Sequence, residues 1–161
     1  MPQDRRAGRV LLVDPDGAVL LFEGFDPGDV TAGRWWLTPG GGAEEDEAIE
    51  STAVREVFEE TGLRIDTDGL GPVVATRVAE FAFEGQRYRQ AEWFFAVRTA
   101  RFEPTREGWE DVEHRSLVRA RWWTAYELDR SDETVYPKEL ARLLRAVVAG
   151  SVIEPMALSG D

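Results

Sequence analysis

Short runs of apolar and β-favouring residues alternate along the chain with segments whose apolar residues recur every three or four positions. The strand-like runs are Arg9 to Asp14, Ala18 to Phe22, Trp35 to Leu37, Val73 to Phe83, Arg87 to Val97 and Ala120 to Trp123. Turn residues at 14–17 and at Glu84-Gly85 join two pairs of these runs, so two hairpins are expected. The polar segments 23–33 and 101–117 are predicted to be irregular.

Helical periodicity begins after a glycine-rich turn at Gly40 to Gly42. Ile49, Ala53 and Val57 recur every four residues, which predicts a helix from about residue 47 to 61 whose apolar stripe packs against a sheet. Gly62 supplies a left-handed end to this helix.

A second helix is predicted near the end of the chain. Pro137 suits its first turn, and Gly150 suits its end. The apolar positions between them are Leu140, Leu143, Leu144, Val147 and Val148. Ahead of this helix, Thr124 and Glu127 form a capping-box pattern that opens a shorter one.

Strands mixed with two main helices predict a layered α/β or α+β sandwich, although the pattern alone leaves the topology open. A length of 161 residues suits one domain. We therefore expect a single domain over residues 1–150, followed by a loosely held C-terminal tail over 151–161.

Composition restricts the class of protein. Hydrophobic residues make up 43% of the chain and charged residues 31%, and no apolar run approaches the roughly 20 residues that a membrane span needs. The first residues lack the apolar stretch of a secretory signal, so a cytoplasmic location and no membrane contact are expected.

Charge and the rarer residues restrict the chemistry further. The chain has no cysteine and one histidine, His114, which excludes disulfides, thiol catalysis and multi-histidine metal centres. A net charge of -12 disfavours long nucleic acids, whose binding depends on Lys and Arg. Small polyphosphates remain possible ligands because cations can bridge them to carboxylates.

Three glutamates of the first helix are spaced so that their side chains share one face. Glu56, Glu59 and Glu60 stand at i, i+3 and i+4, so their carboxylates converge. In a half-buried setting each pair, about 6 Å apart, would repel by roughly 3 kcal/mol. Divalent cations relieve such repulsion, and oxygen ligands favour Mg²⁺ or Mn²⁺. Arg55, four residues before Glu59 and within reach of Glu47, is predicted to orient the carboxylates.

The whole segment from Gly41 to Leu63 resembles the Nudix box at every fixed position. These positions are Gly41, Glu47, Arg55, Glu56, Val57, Glu59, Glu60, Gly62 and Leu63. The resemblance implies a Nudix fold, with a mixed β-sheet sandwiched between α-helices. It also implies metal-dependent hydrolysis of a nucleoside diphosphate linked to another moiety, with water attacking phosphorus.

The resemblance carries roles onto individual residues. It implies that Glu56 and Glu60 are the main metal ligands, with Glu59 and the Gly40 carbonyl beside them, and that Glu47 and Arg55 are supports. The general base varies within the family. It is either Glu56 or a carboxylate on the loop before the last strand, where Glu107, Glu110 and Glu113 compete. Glu113 ranks first because it lies nearest to Trp122 and Trp123.

Substrate contacts outside the box have to come from aromatic and arginine residues. The candidates are Trp35, Trp36, Phe81, Tyr88 and Trp93 for stacking on a base, and Arg34, Arg77, Arg87 and Arg89 for phosphate or sugar. From these we select Arg34, Trp36, Arg77, Phe81 and Trp93. Residues 75–81 contain neither the proline nor the tyrosine that is typical of two family subgroups. A MutT-like nucleoside triphosphate or nucleotide-sugar substrate is therefore expected.

Two other functions fit the same residues. One is a nucleotide-sensing or nucleotide-binding Nudix-like module that is catalytically weak, although the intact box argues against it. The other is an acidic protein that binds metal or a partner without catalysis. The sequence leaves the oligomeric state open between a monomer and a homodimer.

Overall fold

Nine strands form one mixed sheet in the computed structural model, which describes residues 1–161. The strands are β1 (Gln3–Val13), β2 (Val19–Phe25), β3 (Arg34–Leu37), β4 (Gly40–Gly42), β5 (Ala75–Phe83), β6 (Gln86–Arg98), β7 (Leu117–Trp123), β8 (Val135–Tyr136) and β9 (Met156–Leu158). The helices are α1 (Ile49–Thr61), α2 (Asp111–Ser116), α3 (Ala125–Arg130) and α4 (Leu140–Ala149). The main strand order is β8-β3-β2-β1-β6-β5-β9, with β4 beside β1 and β7 beside β2.

The first two strands meet only where the turn joins them. Val13 of β1 pairs with Val19 of β2, and the strands then take different neighbours. β1 continues in parallel with β6 and antiparallel to β4, whereas β2 pairs with β3 and β7. The predicted hairpin is thus correct at its turn, but its strands separate and leave a cleft between two halves of the sheet.

Alternating residues of β1 supply two core layers. Leu11 and Val13 belong to the layer beneath α4, and Val10 and Leu12 belong to the layer beneath α1. Side chains of a strand point alternately to its two faces, so one buried strand can contact both helices. This arrangement is the mixed sheet between helices that the sequence predicts.

Several predicted elements are confirmed. α1 ends where expected, since Gly62 has a φ of 82° and donates its backbone N–H to Phe58 O at 2.9 Å. β5 and β6 form an antiparallel hairpin over the full length of β5. The capping box of Thr124 and Glu127 opens α3.

Three segments differ from the prediction. Residues 101–117 are not wholly irregular, because a reciprocal capping box between Glu110 and Glu113 starts the short helix α2. The glycine turn is the strand β4. The tail is not loosely held: β9 pairs in parallel with β5, and Leu158 is buried in the core. These elements are too short to show a hydrophobic period.

None of the four helices combines the length and the apolar character that crossing a lipid bilayer demands.

Candidate active site

Glycines allow α1 to lie directly on the strands beneath it. A Cβ atom at Gly8 would stand 2.9 Å from Ile49 O and 3.0 Å from Ala53 N, so the helix backbone rests on β1. A Cβ atom at Gly41 would stand 2.6 Å from Cδ of Glu56. The absence of side chains in β4 therefore lets the carboxylates of α1 approach the backbone of that strand.

Arg55 stands among the carboxylates of the box. Its Nε and Nη2 atoms donate to the two oxygens of Glu47 at 2.8 and 2.9 Å, and Nη2 also donates to Gly42 O at 3.1 Å. Its Nη1 atom donates to Glu56 at 3.0 Å and to Glu59 at 3.2 Å. The hydrogen bonds from Arg55 lower the pKa of Glu47 to about 2. The predicted orienting role of Arg55 agrees with this geometry.

Glu60 is buried and Glu56 is half-buried, and only Glu56 forms an ion pair, with Arg55. Glu60 accepts one hydrogen bond, from the backbone N–H of Gly40 at 3.2 Å, and is only 8% exposed. Burial, assisted by the charge of Glu56, raises the pKa of Glu60 well above its usual value. Burial also raises the pKa of Glu56 to about 7, although Arg55 opposes the rise. Two carboxylates in such a setting favour a bound cation.

The chain between β6 and β7 is anchored to the end of α1. Trp109 Nε1 donates to the carbonyl of Glu60 at 2.8 Å, and a Cβ atom at Gly108 would stand 2.7 Å from Glu59 O. This anchoring brings Glu113 of α2 to the same cleft as the box glutamates. Burial raises the pKa of Glu113, whose Oε1 accepts from the backbone N–H of Glu110 at 3.1 Å.

The cleft between the two halves of the sheet has a volume of about 760 Å³. Glu56, Glu59 and Glu60 lie on one wall, together with the glycines of β4. Aromatic side chains line other parts of it, namely Phe22, Phe25, Trp35, Phe81, Phe83 and Tyr136. A cleft of this size, with carboxylates at one side and flat apolar groups nearby, can hold a nucleotide.

A buried ion-pair network forms another part of the wall. Glu92, which is 4% exposed, accepts from Arg77 at 2.8 Å, from Gln90 at 2.8 Å and from Arg9 at 3.3 Å. Burial alone would raise the pKa of Glu92, but the two arginines lower it overall. The network thus places two cations against one anion beside the carboxylates of α1.

A family model described as NUDIX domain matches residues 3–145. The chain belongs to the Nudix family. The match covers most of the chain, including every strand and helix from β1 to α3, and it confirms the resemblance that the box indicates.

Among curated Nudix-related proteins, an RNA pyrophosphohydrolase of Sphingopyxis alaskensis is 30% identical over 105 residues, which are 58% of this chain and 62% of that protein. A MutT-like protein of Streptomyces ambofaciens is 40% identical over 60 residues, which are 37% of this chain and 35% of that protein. The chain thus spans less than two thirds of either relative.

A solved structure supports the Nudix fold. The crystal structure of a MutT NUDIX hydrolase from Burkholderia pseudomallei superposes with a TM-score of 0.59 at 20% identity, and the match covers 90% of this chain and 98% of that protein. At this identity the likeness concerns the fold alone, and it agrees with the mixed sheet between helices.

The Nudix-box residues come together as predicted, although Arg55 holds some of them. Glu59 bonds to Arg55, and the Gly40 carbonyl accepts from Arg9 Nη1 at 3.2 Å. No three acidic or histidine side chains form a ready-made cation site in this arrangement. The donors nevertheless fit a hard cation, because Glu56 and Glu60 are neighbouring carboxylate oxygen donors on the cleft wall and Glu60 has no ion-pair partner within the protein. Ligation by Glu56 and Glu59 would replace their bonds to Arg55.

The residues predicted to bind substrate fall into two groups. Phe81 and Arg77 line the cleft. Trp36, Arg34 and Trp93 do not line it. Trp36 is 1% exposed in the core against Trp123. Arg34 is exposed and lies 3.7 Å from Glu23, and Trp93 packs against the core layer beneath α1.

Trp35, not Trp36, is the cleft tryptophan of β3. Leu37 shares the cleft with Trp35, whereas Trp36 between them is buried in the core. Neighbouring residues of a strand face opposite sides, so only one of the two tryptophans can line the cleft. The sequence alone does not show which one it is. Four further residues line the cleft although no local sequence motif indicates them, namely Arg5, Arg9, Glu92 and Tyr136.

Proposed function

We propose that this Nudix protein is a divalent-cation-dependent pyrophosphohydrolase that cleaves a nucleoside diphosphate linked to another moiety. One observation carries the proposal: buried Glu60 and half-buried Glu56 lie together with the glycines of β4 on the wall of a nucleotide-sized cleft. Glu60 forms no ion pair within the protein, and a buried carboxylate without one is costly unless it holds a cation. The names of the curated relatives, a pyrophosphohydrolase and a MutT-like protein, agree with this activity.

Glu56 and Glu60 would hold Mg²⁺ or Mn²⁺, with Glu59 and the Gly40 carbonyl as further donors. When bound, the cation neutralises phosphate oxygens and lowers the pKa of water. Arg55, which is positioned by Glu47, orients Glu56 and Glu59 through the hydrogen bonds described above. The missing side chain at Gly41 leaves the space that the carboxylate of Glu56 occupies.

Glu113 is our choice for the general base, ahead of Glu56 and Glu110. Its carboxylate lines the cleft and forms no ion pair, and burial raises its pKa above the usual value of a glutamate, which makes it a stronger base. Glu113 would accept a proton from the attacking water. Glu107 does not line the cleft.

The substrate follows from the size and charge of the molecule. A cleft of about 760 Å³ suits a single nucleotide, and the net charge of -12 disfavours long nucleic acids. We therefore propose a nucleoside triphosphate or a nucleotide sugar as the substrate class.

The decisive experiment incubates the protein with nucleoside triphosphates and nucleotide sugars in Mg²⁺ or Mn²⁺ and separates the products. Glu60→Gln is expected to lower kcat by about 10² or more while the fold is retained. Glu50→Gln, on the exposed first turn of the same helix, is the matched control and should keep full activity.

The outcomes separate the candidate functions. Equal activity in Glu60→Gln and the unsubstituted chain would contradict the ligand role of Glu60. Nucleotide binding without product release would indicate the binding module instead of the enzyme. Glu113→Gln should lower kcat about 10²-fold or more, and Glu107→Gln should leave it unchanged.

A further inference from the structure

Arg5 lies at the cleft, and its guanidinium has a buried hydrogen-bond donor without an acceptor in the protein. It lines the cleft from the first half of β1, and its Nε atom is buried without a hydrogen-bond partner. Arg5 belongs to none of the ion pairs in the structure. Its one close aromatic neighbour is Tyr88, whose ring centroid lies 5.0 Å from Cζ.

The other two arginines of the cleft are engaged within the protein. Arg77 donates to Glu92 at 2.8 Å and to Ser159 O at 2.8 Å. Arg9 bonds to Glu92 and to the carbonyls of Thr38 and Gly40. Their donors hold the cleft wall together, so Arg5 is the arginine whose fork remains available to a ligand.

The position of Arg5 relative to the carboxylates is fixed by β4. A Cβ atom at Gly42 would stand 2.9 Å from Arg5 Nε, just as one at Gly41 would stand 2.6 Å from Glu56 Cδ. Successive residues of a strand face opposite sides, so Arg5 and Glu56 flank β4 on its two faces. Both side chains nevertheless line the same cleft, and β4 pairs only with β1. A phosphate chain that passes the unpaired edge of β4 in this cleft can therefore meet a cation held by the glutamates and the guanidinium of Arg5.

We propose that Arg5 is a substrate-binding residue whose guanidinium contacts a phosphoryl group adjacent to the one held at the box glutamates. The proposal rests on the proposed function and deepens it, because it requires a substrate with at least two linked phosphates. An arginine fork donates two parallel hydrogen bonds to a phosphate.

The electrostatic setting of Arg5 supports this assignment. Burial and the neighbouring Arg9 lower the pKa of Arg5, so an anion beside Arg5 would stabilise its charged form. A bound phosphate would supply the missing partner. The buried donor that has no partner in the protein would then be satisfied.

Isothermal titration of inorganic pyrophosphate in Mg²⁺ tests the proposal. Arg5→Ala is expected to raise the Kd about ten- to hundredfold, as the loss of a hydrogen bond between charged groups does. Arg5→Lys should give an intermediate Kd because it keeps the charge without the fork. Arg89→Ala is the charge-matched control: Arg89 is exposed on β6 outside the cleft, and its removal should leave the Kd unchanged.

Thermal unfolding separates ligand binding from a structural role. Ligand-free Arg5→Ala should unfold at the same temperature as the unsubstituted chain or above it, because Arg5 satisfies no partner. An unchanged Kd in Arg5→Ala, or no pyrophosphate binding to the unsubstituted chain, would overturn the proposal. Arg5-dependent binding in a protein that hydrolyses no nucleotide would contradict the proposed function and leave this inference standing.

Discussion

Arg55 donates a bidentate pair of hydrogen bonds to Glu47, with Nε and Nη2 at 2.8 and 2.9 Å from the two carboxylate oxygens. This pairing fixes the plane of the guanidinium. The remaining nitrogen, Nη1, then faces Glu56 and Glu59 on the next turns of α1. Glu47 forms no hydrogen bond with Glu56 or Glu59, but it positions Arg55, to which both of them bond.

Replacing Glu47 by glutamine should change the response of the protein to acid. The pKa of Glu47 is lowered from 4.5 to about 2, so its contribution to stability is complete above pH 4.5 and is lost as the pH falls toward 2. Glu47→Gln should therefore be less stable at pH 7 and should lose less stability over this range. Urea unfolding at pH 7, 4.5 and 3 measures both effects. Exposed Glu45→Gln is the control, and an identical acid response in Glu47→Gln and the unsubstituted chain would contradict the prediction.

Glu56 should cost stability when no cation is bound. Burial raises its pKa from 4.5 to about 7, so the folded state holds this proton more tightly than the unfolded state does. The cost is absent below pH 4.5 and complete above pH 7, where it is about 3 kcal/mol. In chelator, Glu56→Gln should be more stable than the unsubstituted chain at pH 8, and the gain should shrink at pH 5. A loss of stability at pH 8 would refute this account.

Gly41 should tolerate no side chain because Glu56 occupies the space. The carboxylate atoms of Glu56 stand 2.6 to 2.7 Å from where Cβ of Gly41→Ala would be. The substitution should displace Glu56 and lower kcat, with a smaller effect on stability because a side chain can move. Gly69→Ala is the matched control: its nearest neighbour would be Ile65 at 3.6 Å, an ordinary contact. Steady-state kinetics of both variants decide, and full activity in Gly41→Ala would show that the contact is unimportant.

The two adjacent tryptophans of β3 should respond in opposite ways. Trp36→Ala opens a cavity in the core and should cost about 3 to 5 kcal/mol of stability. Trp35→Ala should cost much less and should weaken nucleotide binding, because Trp35 lines the cleft. Urea unfolding and nucleotide titration of both variants measure the contrast. Unchanged nucleotide affinity in Trp35→Ala would show that Trp35 does not contact the bound nucleotide.

The box and its helix could be predicted from the sequence because both are local. A four-residue apolar period fixes the buried face of α1, and the spacing of Glu56, Glu59 and Glu60 then places them together on another face. The same reasoning predicted that Arg55 would bridge Glu47 and Glu59, and the structure shows both contacts.

The cleft residues outside the box could not be predicted from the sequence, because their positions depend on contacts between distant segments. Glu92 meets Arg9 from 83 residues away, and Arg5 reaches the cleft only because β1 lies between β4 and β6. The sequence does not distinguish Trp35 from Trp36 as the cleft residue, because both are tryptophans in the same short strand. Their opposite orientations depend on which face of β3 meets the core, and the partner Trp123 lies 87 positions later.

The parting of β1 and β2 beyond Val13 and Val19 has an evolutionary consequence. The helix with the carboxylates rests on β1 and β4, whereas Trp35 and Leu37 stand on β3 in the other half of the sheet. Substitutions at Trp35 and Leu37 would change the lining of the cleft without altering any residue of α1. Related chains could therefore vary the ligand that this side of the cleft accepts while keeping the same carboxylates on α1.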